Sequence, residues 1–183
     1  MDIAHSHILL DACCVLNFAA SGRLLEILSA IPAQVVVTEV VRDKELQTLQ
    51  RLKTEDSEAA IQFETAISKG LLLVTDFESD AEAETFVNYA FVMGDDGESA
   101  TGAIAVHRGW AIATDDKKAI SFFRQEVPQL KIISTLEVVK DWSEQSSQNA
   151  SELRNVLDAI RVKGRYIPDK DHPLQRWWKS IMT

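Results

Sequence analysis

Five short apolar runs alternate along this chain with stretches whose apolar residues recur every three or four positions, and few folds accept that pattern. The runs are HILLD (7–11), QVVVT (34–38), LLLVTD (71–76), WAIAT (110–114) and LKIIS (130–134). They are brief and rich in Val, Ile and Leu, as strands buried on both faces are. Helical spacing runs through 14–31 with a break near Gly22. It returns in two stretches from Glu39 to about Lys69, marked by Val40, Val41, Leu46 and Leu49, then Ala59, Ala60, Phe63 and Ile67. Further helical patterns span about 81–93, 98–108 and 116–125, with Gly70 as a helix stop and GDDG (94–97) as a turn. Strand and helix in alternation predict an α/β fold, a three-layer α/β/α sandwich around a parallel sheet of about five strands. After the polar stretch WSEQSSQNAS, Leu153, Val156, Leu157 and Ile160 line one face of a helix. Residues 1–145 thus read as one α/β domain, and 146–183 as a helical extension packed on it.

A chain of 183 residues suits one such domain with a sizeable core. No apolar run approaches the roughly 20 residues of a membrane span, and no basic patch precedes the first apolar run as in a secretory signal. Cys13 and Cys14 are neighbours. They are badly placed for a disulfide, offer too few ligands for zinc, and read as reduced thiols of a cytoplasmic protein. Charge is uneven: residues 1–150 carry 12 Lys+Arg against 24 Asp+Glu, while 151–183 carry 7 against 4. So acidic a surface does not attract nucleic acid by general electrostatics, and any role with RNA or DNA must account for the acids.

Three of the strands run into an acid at their C-terminal edge: Leu10 into Asp11, Thr38 into Glu39, and Thr114 into Asp115 and Asp116. Glu98 opens the helix before the fourth strand. Parallel sheets bind ligands outside the carboxyl ends of their strands, where the strand order reverses. Singly, each acid suits a helix start, with Thr38, Asp96, and Thr114 or Asp115 as caps. Together, with no Lys or Arg beside them, they would repel one another unless a cation sits among them. Carboxylate oxygens are the ligands Mg²⁺ and Mn²⁺ prefer, so the collective reading is a divalent-metal site. Asp76 ends the third strand in the same way. With the strands ordered 3-2-1-4-5, that strand lies at an edge, and Asp76 is expected to be an ordinary turn residue.

The stretches LLDACCVLNFAASG (9–22), VVVTEVVRDKEL (35–46), GESATGAIAVHRG (97–109) and ATDDKKAISFF (113–123) resemble, in order, the motifs of the PIN-domain nucleases, the group that includes VapC-type toxins. The nearest likeness is to a bacterial branch with a GE-x-x-A helix start, a DDK-like turn and extra C-terminal helices. The resemblance implies the PIN fold and a divalent-metal-dependent endoribonuclease that hydrolyses single-stranded RNA to 5′-phosphate and 3′-hydroxyl ends. It implies catalytic roles for Asp11, Glu39, Glu98, Asp115 and Asp116, with Asp11, Glu98 and Asp116 as ligands of Mg²⁺ or Mn²⁺. Asp116 matches the family's last acid, and Asp115 replaces its usual Asn. Cys13 stands where Ser, Thr or Asn is common, which leaves Asp11 short of a polar support. The expected partners are the RNA substrate, an antitoxin protein if the chain is a toxin, and a second copy of itself.

Other readings draw less support. Neither G-x-x-x-x-G-K-[ST] nor G-x-G-x-x-G is present, so no phosphate-cradling loop of those kinds is available. A haloacid-dehalogenase-type phosphatase wants a second Asp where Cys13 stands. A catalytically silent PIN-like binding or regulatory protein is the alternative, disfavoured because every acid position is filled. The C-terminal Arg and Lys residues, Arg165 among them, stand among Tyr166, Trp177 and Trp178, a mixture suited to a single strand. The apolar spacing through Ile160 demands a packing partner, so packing is the reading adopted. His7 reads as an edge-strand residue and His107 as a surface one.

Overall fold

A computed structural model describes residues 5–43 and 58–183, and the five apolar runs become five parallel strands in the order β3-β2-β1-β4-β5. They are β1 (His7–Leu10), β2 (Gln34–Thr38), β3 (Leu72–Thr75), β4 (Ala111–Ala113) and β5 (Ile132–Ile133). β1 lies at the centre, with Leu9 opposite Val36 on one side and Ile112 on the other. His7 therefore begins the central strand rather than an edge strand, and its ring stacks on Trp110 with centroids 4.3 Å apart.

Alternation along the strands divides the interior in two. Ile8, Leu10, Val35, Val37, Ala111 and Ala113 point to one side of the sheet, and Leu9, Val36 and Ile112 to the other. The second side is covered by α4 (Asp80–Met93), α5 (Asp96–Arg108) and α6 (Lys117–Glu126). The first is covered by α1 (Ala12–Ala20), α2 (Leu24–Ala30) and α3 (Glu58–Ser68), and by the later helices α7 (Thr135–Gln145), α8 (Ala150–Val162) and α9 (Gln175–Met182). This is the three-layer α/β/α arrangement. Leu153, Val156, Leu157, Ile160 and Trp178 belong to the same apolar cluster as β1, so the C-terminal helices share the core of the α/β unit.

Local signals set the element ends. Gly22 and Gly70, at φ of 71° and 69°, turn the chain after α1 and α3. Thr38 Oγ1 accepts from Val41 N at 3.1 Å and caps the helical residues 39–43. Leu46 and Leu49 lie outside the described residues. Two expected caps are off by one or two places: Asp95, not Asp96, caps α5, and Asp116, not Thr114 or Asp115, caps α6. The first four residues of the supposed polar stretch belong to α7, where Trp142 is buried. Among the described residues no helix is long and apolar enough to cross a membrane.

At the far corner, Arg108 joins α5 to α4 and to the end of β3. Its guanidinium meets Glu82 at 2.7 Å, Thr75 Oγ1 at 2.8 Å and the Asp76 carbonyl at 2.7 Å. Asp76 itself accepts from Phe77 N at 2.8 Å and is exposed, a turn residue at the sheet edge. His107 is likewise on the surface, hydrogen-bonded to Thr85.

Candidate metal centre

The chain reverses its direction of travel across the sheet between β1 and β4, and their carboxyl ends meet. Asp11 N donates to Ala113 O at 2.9 Å, so the residues that follow each strand lie side by side. Asp11 is nearly buried at 3% exposure and is held by three donors. Ala12 N reaches Oδ1 at 2.8 Å, and Thr114 Oγ1 and Cys13 Sγ reach Oδ2 at 2.9 and 3.2 Å. Cys13 thus does supply a polar contact to Asp11, with a thiol in place of a hydroxyl, and the expected gap is not there.

A cleft of about 470 Å³ opens above this junction. Asp11, Glu98, Asp115 and Asp116 all line it. Asp95, which the sequence reading passed over, is a fifth acid in its wall, and its Oδ1 accepts from Glu98 N at 3.1 Å. The spacing Asp-x-x-Glu is that of a capping residue and the third residue of its helix, and it singles out Asp95 over Asp96. Glu39 is not brought into the cleft. It is exposed at the start of residues 39–43 and does not line the cavity, consistent with a helix-start role.

The electrostatics follow from crowding. Burial, and then the charges of Asp11, Asp116 and Asp95, push the Glu98 carboxyl up to about 7, against a small opposing pull from Lys118. Burial also raises Asp11 and Asp115 above the usual carboxylate range. Among the described residues Glu98 makes no side-chain hydrogen bond or ion pair.

Asp115 and Asp116 have different tasks. Asp115 accepts from Thr135 N at 3.1 Å and Asn17 Nδ2 at 3.2 Å, and the phenol of Tyr166 lies beside it. Among the described residues Asp116 accepts at Oδ1 alone, from the amides of Lys118 and Ala119 at 2.7 and 2.9 Å. Its Oδ2 is left for a ligand, whereas Asp115 ties together α1, α7 and the segment after α8.

Asn17 and Tyr166 were not singled out as site residues. A buried Asn on the apolar face of α1 is a signal the sequence carries; the approach of Tyr166, from 50 residues further along, is not. Arg165 also lines the cleft, so the acids do have a cationic neighbour.

Do these residues fit a divalent cation? Mg²⁺ and Mn²⁺ seek several carboxylate oxygens, and Asp11, Glu98 and Asp116 present them around one cavity with mutual repulsion that a cation would relieve. A second group lies beneath: the potential ligand atoms of Cys13, Cys14 and Asp115 fall within 4.8 Å of one another. That group is already hydrogen-bonded within itself, and burial pushes the Cys14 thiol well up. Thiol sulfur suits softer ions than Mg²⁺ or Mn²⁺, which prefer carboxylate oxygen. The acids are the better fit. No protein-family model matches the chain, and no curated protein matches it significantly.

Proposed function

We propose that this protein is a divalent-metal-dependent endoribonuclease of the PIN type, hydrolysing phosphodiester bonds of single-stranded RNA. The observation that carries the reading is the convergence of Asp11, Glu98 and Asp116, from three separate stretches of chain, on one cleft at the strand-order reversal, with Glu98 pushed to about 7. Such crowding costs stability and is compensated when a cation enters.

Asp11, Glu98 and Asp116 would hold Mg²⁺ or Mn²⁺. The ion supplies Lewis acidity toward the phosphate and neutralises charge on the leaving oxygen. Thr114, Cys13 and the Ala12 amide fix the orientation of Asp11. Asp115, pinned by Thr135 and Asn17 with Tyr166 beside it, locks the loop that carries Asp116. Asp95 fixes the start of α5 and so the placement of Glu98. Near neutral pH Glu98 sits close to half protonated without a cation, so cation entry at its carboxylate would release about half a proton on average.

The two cysteines are free thiols, in keeping with a cytoplasmic setting. The toxin of a toxin–antitoxin pair is the biological role that suits this chemistry. A small antitoxin protein would then be its partner, and a homodimer its assembly.

The test is cutting of a labelled single-stranded RNA. The wild-type chain is expected to cut in Mg²⁺ or Mn²⁺ and to stop in excess EDTA. Asp11→Asn and Glu98→Gln should lower the rate by at least about two orders of magnitude. Undiminished cutting in EDTA removes the metal mechanism, and no cutting under any condition favours a PIN-like binding or regulatory protein.

A further inference from the structure

A second cleft, of about 340 Å³, adjoins the acidic one and shares Asp115, Arg165 and Tyr166 with it. Its lining balances Lys117, Arg124 and Arg165 against Asp115, Glu137 and Asp169. Of its acids, Glu137 is spent in the capping box with Ser134, Asp169 pairs with Lys117 at 2.6 Å, and Asp115 is pinned as described. Two of its cations, Arg124 on α6 and Arg165, make no ion pair or hydrogen bond among the described residues, and both are exposed.

We propose that the two clefts form one track for the RNA, with Arg165 and Arg124 taking phosphates of the backbone next to the one held at the acids. The proposal rests on the ribonuclease reading and extends it to how the substrate is held. A polyanion gains nothing from an acidic surface except at the cation, so neighbouring phosphates need positive groups close at hand. These two arginines are the unpaired cations that line the second cleft, and Arg165 is the cation that lines both.

The backbone holds Arg165 where this requires. Its φ is +56°, a conformation that side-chain-bearing residues rarely adopt; the other such residue described, Ser147, lies in the turn between α7 and α8. On one side, Gly164 lies so close to α1 that a Cβ there would meet Asn17 Oδ1 at 2.5 Å and Ile160 O at 2.7 Å. On the other, Tyr166 lies beside Asp115 and lines both clefts with it. The extension therefore packs on the core, as its apolar spacing demands, and also delivers one cation to the mouth of the acidic cleft.

The experiment measures binding of a 5′-fluorescein-labelled 12-nucleotide single-stranded RNA by fluorescence anisotropy in Mg²⁺. Glu98→Gln is the background, so that the probe is not cut. Adding Arg165→Ala and Arg124→Ala should weaken binding roughly tenfold and flatten the log Kd against log salt slope by about 1.4, two phosphates at about 0.7 each. Arg23→Ala with Lys140→Ala removes the same charge away from both clefts and should change Kd less than about twofold. Arg124→Glu alone, a change confined to an exposed helical residue, should weaken binding by itself. Equal losses for the two alanine pairs, or no loss for either, would overturn the proposal. Cutting is scored separately on chains with Glu98 intact. Metal-dependent cutting with unaltered binding in the arginine variants sinks the track alone, and lost binding in a chain that never cuts sinks the nuclease reading alone.

Discussion

Glu98 is the residue on which function and stability pull in opposite directions. Its carboxyl is raised to about 7 because burial and three neighbouring acids all disfavour the charge. An acid whose folded pKa lies above its unfolded value binds more protons folded than unfolded, so between about 4.5 and 7 it makes the fold weaker as pH rises. Asp11 and Asp115 are shifted in the same direction. In EDTA, thermal melts are therefore expected to give a higher Tm near pH 5 than at pH 7, and saturating Mn²⁺ at pH 7 should remove most of the difference. A Tm that climbs steadily from pH 5 to 7 without metal contradicts this. Glu98→Gln keeps the shape and drops the charge, so in EDTA at pH 7 it should raise Tm by about 2–4 °C, equivalent to about 1 kcal/mol, while abolishing cutting. The neighbouring pair Asp115 and Asp116 shows what adjacency in sequence conceals. Two like residues in succession differ in role because one is saturated by donors from distant segments and the other is not.

At the scale of the elements, strands were the easier half to read. A run such as QVVVT has no alternative use for three successive β-branched residues, and its observed limits match. Helix starts were legible as places and less so as atoms. Asp95 and Asp96 are chemically identical, and only the three-residue offset to Glu98 distinguishes the cap. WSEQ read as the start of a polar stretch because polar residues follow Trp142, which the fold buries in the core. α8 was legible as a packing element by its apolar face, whereas the turn after it at Gly164 was not, since close approach to Asn17 is a tertiary fact. Gly164→Ala is expected to cost about 1–3 kcal/mol through the clash with Asn17 Oδ1 and the Ile160 carbonyl. It should also loosen Tyr166 from Asp115, which near-ultraviolet circular dichroism of the aromatic residues would detect. A Gly164→Ala chain with unchanged Tm and spectrum would show that the turn does not depend on that approach.

For the whole molecule, parallel topology explains why residues 11, 98 and 116 share a cavity while 39 and 76 do not. β1 and β4 flank the reversal, and their exits face one another. β2 is the next strand out and β3 lies at the edge, so an acid at either exit must reach further to join the group. Strand-end acidity was visible in the sequence; distance from the reversal depends on sheet order, and the outward turn of Glu39 on its helix was visible in neither. The C-terminal segment adds Arg165 and Tyr166 to the mouth of the cleft from a part of the chain that carries no strand. The central claim is that the acids hold one kind of ion and the thiols do not. Anomalous diffraction from a crystal soaked in Mn²⁺ tests it most directly. The account predicts a peak bounded by the carboxylates of Asp11, Glu98 and Asp116, absent in Asp11→Asn. A peak at Cys13, Cys14 and Asp115 instead, or none in the wild-type cleft at saturating Mn²⁺, would contradict it.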